Sequence, residues 1–508
     1  MNLSKETIQK ITPREGLVLP APALFELPEK VLQFGTGVLL RGLPDYFIDK
    51  ANRQGIFNGR IVVVKSTASG DTDAFDKQNG LYTLCVKGIE NSVKKEETIV
   101  NSSISRVLSA TNEWDQVLAC AGNSALQLVI SNTTELGIVP SDDDIRSQPP
   151  PSFPGKLLAF LYARYKAFGG KEGTGLVIVP TELIIDNASK LRAIVIELAQ
   201  KNDLEPAFLQ WLEGDNHFCN SLVDRIVPGR LPKAEQERTE EILGYKDELM
   251  IMAESFRLWA IESHSERVRE VLSFSLVDEG VIITPDIEKF RELKLRLLNG
   301  THTFSSGLAV LAGFQTVRDA MNDEHMTAFI RRLMMLEIAS ALNGEHISYN
   351  EACAFANSVT DRFRNPFIEH LWISITMNFT SKMRLRNIPL LLRHYSRTDT
   401  VPEQMALGFA AYILFMKCRE DGKGGYAGSV NGRTYNIQDD KAAYFSEKWA
   451  NNTSHQVVNQ VLADKGLWGT DLSQLNGFEA AVKKYISLLE QEDAAAVLAG
   501  RHLTKTMA

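Results

Sequence analysis

Lys294, Asn299 and His302 set a base, an amide and an imidazole at i, i+5 and i+8 within Lys294-Leu-Arg-Leu-Leu-Asn-Gly-Thr-His302, an otherwise apolar run. At about 100° per residue on an α-helix they project at roughly 0°, 140° and 80°, so all three share one side. The histidine falls between the other two. Such a set can pass a proton through the amine and hold a developing oxyanion on the amide. The same spacing also suits a solvated surface lysine and a helix histidine with its hydrogen bonds satisfied. A lysine ammonium ordinarily loses its proton at about pH 10.4, so work as a base calls for burial or neighbouring cations, such as Arg296 or Lys382.

A second candidate set is Lys382, Arg384 and Arg386, three cations at alternate positions between Asn378 and Pro389. They share one side if the segment is extended and spread if it is helical. A cationic cluster suits a carboxylate or phosphate on a substrate, and a solvated basic turn is the alternative.

The third set needs a scaffold. Lys30–Phe34 reads as a short apolar strand, Gly35-Thr36-Gly37 as a turn, Val38–Ile48 as a helix and Arg60–Val64 as a parallel strand. That is a βαβ unit. Gly35 can make the tight turn, and Gly37 can let a pyrophosphate approach the backbone at the helix start. Leu40 stands where the dinucleotide fingerprint has its third glycine. At the tip of the second strand, where a carboxylate would bind a ribose, the chain has Lys65-Ser66-Thr67, with Asp71 and Asp73 beyond. A lysine and a serine there can accommodate a ribose phosphate, so NAD and NADP both stay open.

Two more apolar strands follow, Leu126–Ile130 and Gly175–Val179, each ending in polar residues: Thr133, Thr134 and Glu135 in one case, Glu182, Asp186 and Asn187 in the other. The carboxyl ends of parallel strands are the ligand side of an open sheet, and the Thr134 end is where a nicotinamide ribose would rest. Asn187 equally suits a helix cap. Asp224 and Arg225 form an acid–base pair in the apolar stretch Phe218–Pro228, where buried charges need partners or a ligand.

Strands and helices alternate up to about residue 240, and helices dominate after it. A Rossmann-like α/β domain over 1–245 and a mainly α-helical domain over 246–508 are the expectation for a chain of 508 residues, with the chemistry between them. Helices are expected at Asp286–Leu298, Thr303–Ala312, Ile368–Asn378, Pro402–Met416 and Ser454–Ala463, among others. A net charge of −8 without a basic arm argues against nucleic acid. The start has no apolar signal core, and no run has membrane length. The five cysteines, Cys85, Cys120, Cys219, Cys353 and Cys418, have neither metal-ligand nor redox spacing. A cytoplasmic protein, monomeric or weakly self-associating, is expected.

Together these stretches resemble the polyol-specific long-chain dehydrogenase/reductase family, which includes mannitol dehydrogenase. The family signature of lysine, four residues, asparagine, two residues and histidine is met by Lys294, Asn299 and His302. Phe218–Pro228, Glu254-Ser-Phe-Arg-Leu-Trp259 and Ser152-Phe-Pro-Gly-Lys156 are similar to further family stretches. Gln33–Gly42 and Ile130–Glu135 are most similar to a branch of the family that acts on sugar acids. The resemblance implies interconversion of D-tagaturonate and D-altronate with NAD in hexuronate catabolism, without a metal. Fructuronate/mannonate or a mannitol-type polyol is the alternative substrate. It further implies Lys294 as general acid/base, Asn299 and Asn187 at the alkoxide-like oxygen and His302 orienting substrate or lysine. Phe34, Gly35, Thr36, Gly37, Lys65, Thr134 and Asp224 would line the cofactor site, and Lys382 the substrate site. Arg384 and Arg386 join Lys382 as candidates for a substrate carboxylate.

Overall fold

The computed structural model describes residues 1–66, 72–133 and 136–500. The chain divides into two compact units, one of Met1–Gly88 with Lys94–Ile287 and one of Ile89–Val93 with residues from Glu288 onward. The division lies later than the expected 245/246 boundary. Ile251–Glu254 pairs with Tyr82–Glu90, Leu258–Glu262 with Ser221–Asp224, and Val281–Thr284 with Leu258–Glu262. Backbone ladders hold these late strands in the first unit, although the sequence around them reads as helical.

Among the described residues the main sheet of the first unit has six parallel strands. They are β1 (Glu29–Phe34), β2 (Arg60–Lys65), β3 (Ile104–Ser109), β4 (Leu128–Ser131), β5 (Val177–Pro180) and β6 (His217–Phe218). Their spatial order is 3-2-1-4-5-6, so the winding reverses between β1 and β4. The apolar runs explain this placement, because both faces are covered. Val31, Ile61, Val63, Leu128, Ile130, Val177 and Val179 enter one core, while Leu32, Phe34, Val62, Val64, Val129 and Ile178 enter the other. Each such side chain contributes roughly 1.5–3 kcal/mol on burial. The helix expected over Val38–Ile48 is two helices, Val38–Gly42 and Pro44–Arg53, broken at Leu43. Pro44 has no N–H to continue the ladder and opens the second helix instead.

The second unit is mainly helical. Thr301–Leu311 and Glu403–Phe415 are buried along most of their length and share the core of this unit. Among the described residues three stretches are wound as π-helix: Lys294–Gly300, Leu333–Ile338 and Met383–Asn387. Such segments are rare and gather at functional sites. The helix expected over Ile368–Asn378 shrinks to Trp372–Ile375. An antiparallel sheet of Cys418–Glu420, Tyr426–Val430 and Arg433–Ile437 interrupts the helices and was not anticipated. Its turn is Asn431-Gly432, both at positive φ, the dipeptide that tight hairpins demand. Among the described residues no helix is long and apolar enough to cross a membrane.

Candidate active site

In the first unit the site elements sit at the carboxyl ends of β1 and β4. Gly35 has φ +127°, and a Cβ there would lie 3.0 Å from both the Asn132 carbonyl and Leu40 Cδ1. Only glycine serves a turn of that conformation against that neighbour. Around Gly37 a Cβ would meet nothing within 4 Å, so its backbone faces open space, which fits the approach of a pyrophosphate. Thr36 is half-buried beside it. The Phe34 ring points away into the core, edge-on to Phe153 at 5.2 Å, so only its backbone reaches the turn. Leu40, in place of the third glycine, is fully buried and fills the space between helix and strand. Lys65 ends β2 and is buried. Thr134 lies outside the described residues.

The ends of β4 and β5 are tied together by a carboxylate that sequence reasoning left without a role. Glu182 is buried and accepts from Ser131 Oγ at 3.1 Å, Thr133 N at 2.9 Å and Thr133 Oγ1 at 3.0 Å. Asn187 has a different task from the expected oxyanion donor. Its Nδ2 donates to the carbonyls of Pro180, Glu182 and Ser221, and its Oδ1 accepts from Ala188 N and Ser221 N. A fully buried amide must satisfy its donors, and here backbone takes them all. It opens the following helix and ties the loop behind β5 to Ser221. Asp224 is buried at the end of its strand. Arg225 beside it donates to the Glu254 and Gly42 carbonyls and lies over the Tyr46 ring, and burial lowers its pKa to about 10.

In the second unit Lys294 and Asn299 open and nearly close the π-helical stretch, and His302 follows in regular α-helix. A turn closed by i to i+5 bonds winds less per residue than the 100° assumed from sequence, which brings Lys294 and Asn299 closer in angle. Both are half-buried. Gly300 sits at the junction, where a Cβ would lie 3.1 Å from Asn387 Oδ1. Thr303 Oγ1 returns a hydrogen bond to the Asn299 carbonyl at 2.8 Å.

His302 is buried at 8% exposure, stacked on Phe363 with centroids 4.2 Å apart and edge-on to His370 at 5.1 Å and Trp372 at 5.9 Å. Its Nε2 has no hydrogen-bond partner among the described residues. Burial first, then the charges of His370, Arg362, Arg386 and Lys382, hold its pKa well below the ordinary 6.5. The ring is therefore neutral near pH 7, with one donor and one acceptor nitrogen.

The Lys382–Arg386 set is helical, so it spreads. Lys382 and Arg386 are both half-buried and Arg384 is exposed. Lys382 Nζ donates to the Ile375 carbonyl at 2.9 Å, and Arg386 Nη1 to Thr303 Oγ1 at 3.3 Å. Burial and then Arg386 lower the Lys382 pKa, and burial lowers that of Arg386. Arg384 thus parts from the other two for a geometric reason. Sequence reasoning passed over His370 and Phe363, which frame His302. No short-range pattern marks them, since both approach from more than fifty residues away.

Residues 29–272 match the model of the mannitol dehydrogenase Rossmann domain, and residues 286–489 that of the mannitol dehydrogenase C-terminal domain. An altronate oxidoreductase of Bacillus subtilis (strain 168) is 36% identical over 471 residues, covering 92% of this chain and 94% of its own. One from Halalkalibacterium halodurans is 38% identical over 458 residues, 88% of each chain. Among solved structures, D-sorbitol dehydrogenase in substrate-free form has a TM-score of 0.79 at 18% identity, covering 98% of this chain and 100% of that one. Pseudomonas fluorescens mannitol 2-dehydrogenase, in ternary complex with NAD and D-mannitol, has 0.66 at 22%, covering 99% and 100%. These two share the fold. With both domain models matched in order and relatives aligned along nearly the whole length, the chain belongs to the mannitol dehydrogenase family.

Proposed function

We propose that the protein is an oxidoreductase that interconverts D-tagaturonate and D-altronate with NAD, as a step of hexuronate catabolism. The observation that carries the reading is a pair of half-buried cations beside the His302 helix: Arg386 donates to Thr303, next to His302, and Lys382 stands one turn before Arg386. A neutral polyol has no use for that charge, whereas a uronate carboxylate does. The altronate oxidoreductase relatives support the same substrate class. The Gly35–Gly37 turn at the reversal of the sheet supports a dinucleotide, held at Gly35, Thr36 and Gly37, with Lys65 toward its adenosine end and Asp224 toward the other.

A bound nicotinamide supplies the hydride for ketone reduction and accepts it in the reverse direction. Lys294 gives a proton to the carbonyl oxygen during reduction and takes it back during alcohol oxidation. Asn299 donates to the same oxygen without adding a competing charge, which favours the alkoxide-like state. The neutral His302 ring orients the substrate or Lys294 by hydrogen bonding. Lys382 and Arg386 attract the carboxylate. Initial rates with tagaturonate, fructuronate, fructose, altronate, mannonate and mannitol, each with the NAD and NADP forms, test the proposal. Highest kcat/KM for the tagaturonate/altronate pair with the NAD forms is expected, and a preference for mannitol or fructose would reject it.

A further inference from the structure

Lys382 sits on a helix that does not cap itself. Phe379–Lys382 is a single turn, and Asn378 before it is left-handed at φ +53° and makes no side-chain cap. The first amides of a helix need acceptors. Here one comes from 59 residues away: Asp439 Oδ2 accepts from Thr380 N at 2.7 Å, and Asp439 Oδ1 accepts from Thr380 Oγ1 at 2.9 Å. Thr380 Oγ1 also lies 2.8 Å from the buried Tyr412 hydroxyl. Asn378 N donates to the Gln438 carbonyl at 2.8 Å, and Lys441 N to Asp439 Oδ1 at 2.8 Å. The residues that reach over, Gln438 and Asp439, directly follow the last strand of the Cys418–Ile437 sheet.

We infer that Asp439 is a positioning residue for substrate recognition: delivered by the small sheet, it clamps the Asn378–Lys382 turn and so fixes where the Lys382 ammonium meets the sugar-acid carboxylate. The clamp acts on both ends of the turn. Asp439 and Gln438 hold the start at Thr380 and Asn378, while the Ile375 carbonyl holds the Lys382 head. A freed turn leaves the ammonium free to swing, and misplacement of a charged contact weakens binding of the anion rather than the proton transfer at Lys294.

This inference rests on the substrate role given to Lys382, so Lys382→Met is measured beside Asp439→Asn and Thr380→Val in the full-length enzyme. Asp439→Asn removes the charge and keeps one acceptor, and Thr380→Val removes the hydroxyl bond and keeps the backbone one. Expected is a rise in KM for the sugar acid of tenfold or more in Lys382→Met and of threefold or more in the other two. In Asp439→Asn and Thr380→Val, twofold or smaller changes are expected in cofactor KM and in kcat. Asp439→Glu should fall between Asp439→Asn and the parent. If Lys382→Met leaves the sugar-acid KM unchanged, the substrate role of Lys382 fails and the inference with it. If Lys382→Met raises it and the Asp439 and Thr380 variants do not, or if they depress every parameter alike, the clamp alone is overturned.

Discussion

Arg296 reaches from the first site helix to the second: its Nη1 donates to the Arg386 carbonyl at 2.7 Å and to the Leu385 carbonyl at 2.9 Å. Arg296 Nη2 pairs with Glu292 at 3.1 Å. One buried guanidinium thus joins the π-helical stretch of Lys294 and Asn299 to that of Arg386. π-Winding leaves carbonyls off the regular ladder, and a rigid five-donor fork is suited to collect them.

Arg296→Met should therefore lower stability by roughly 2–4 kcal/mol, because it strips the shared donor from the Leu385 and Arg386 carbonyls and a charge partner from Glu292. Urea denaturation measures the loss. Arg296→Lys is expected to recover only part of it, since a point charge cannot serve the same acceptors together. Equal stability of all three proteins would refute the link.

Lys294→Ala should lose about 10²–10⁴-fold in kcat while binding cofactor within twofold of the parent, as expected for loss of a proton carrier alone. Single-turnover kinetics and fluorescence titration of the dinucleotide read the two quantities separately. Near-normal turnover would sink the assignment.

The buried histidine gives a pH signature. His302 has its pKa pushed below 6.5 by burial, so as pH falls below 6.5 the unfolded chain takes up a proton that the folded one refuses. Stability should decline as the solution is acidified from pH 6.5. His370, lowered by burial and by Lys382, adds in the same direction. In His302→Gln the slope of melting temperature against pH between about 6.5 and 5 should be visibly shallower. An unchanged slope would show that His302 is not held neutral.

Asp45 makes the opposite case. It is fully buried near Gln33 and Arg41, no oxygen of its carboxyl has a partner within hydrogen-bond geometry among the described residues, and burial pushes its pKa to about 8. A raised carboxyl holds its proton in the fold, and the stability this contributes disappears as pH rises through 8. Asp45→Asn should thus be more stable than the parent above pH 8, by roughly 1–3 kcal/mol, and close to it at pH 5. Calorimetry at the two pH values decides.

Much of the first unit is legible in the sequence. Apolar runs of strand length around Val31, Ile61, Leu128 and Val177 demand cover on both faces, and Gly35 marks a turn that no other residue fits. The spacing of Lys294, Asn299 and His302 puts all three on one helical run, as the structure has them. The Asn431-Gly432 turn was equally visible in the chain, and its hairpin was overlooked amid helical surroundings.

What the sequence by itself determined is therefore periodicity: which residues are buried, which turns need glycine, and which chemical groups travel together within a few residues. Tertiary structure alone decided the angle between Lys294 and Asn299, through π-winding, and parted Arg384 from Lys382 and Arg386. It assigned the Asn187 amide to backbone carbonyls, gave Glu182 the ends of two strands, and brought Asp439 to Thr380. The reason is physical. Burial follows from local pattern, but a polar group takes whichever acceptor the folded chain sets beside it, and those partners lie up to tens of residues away.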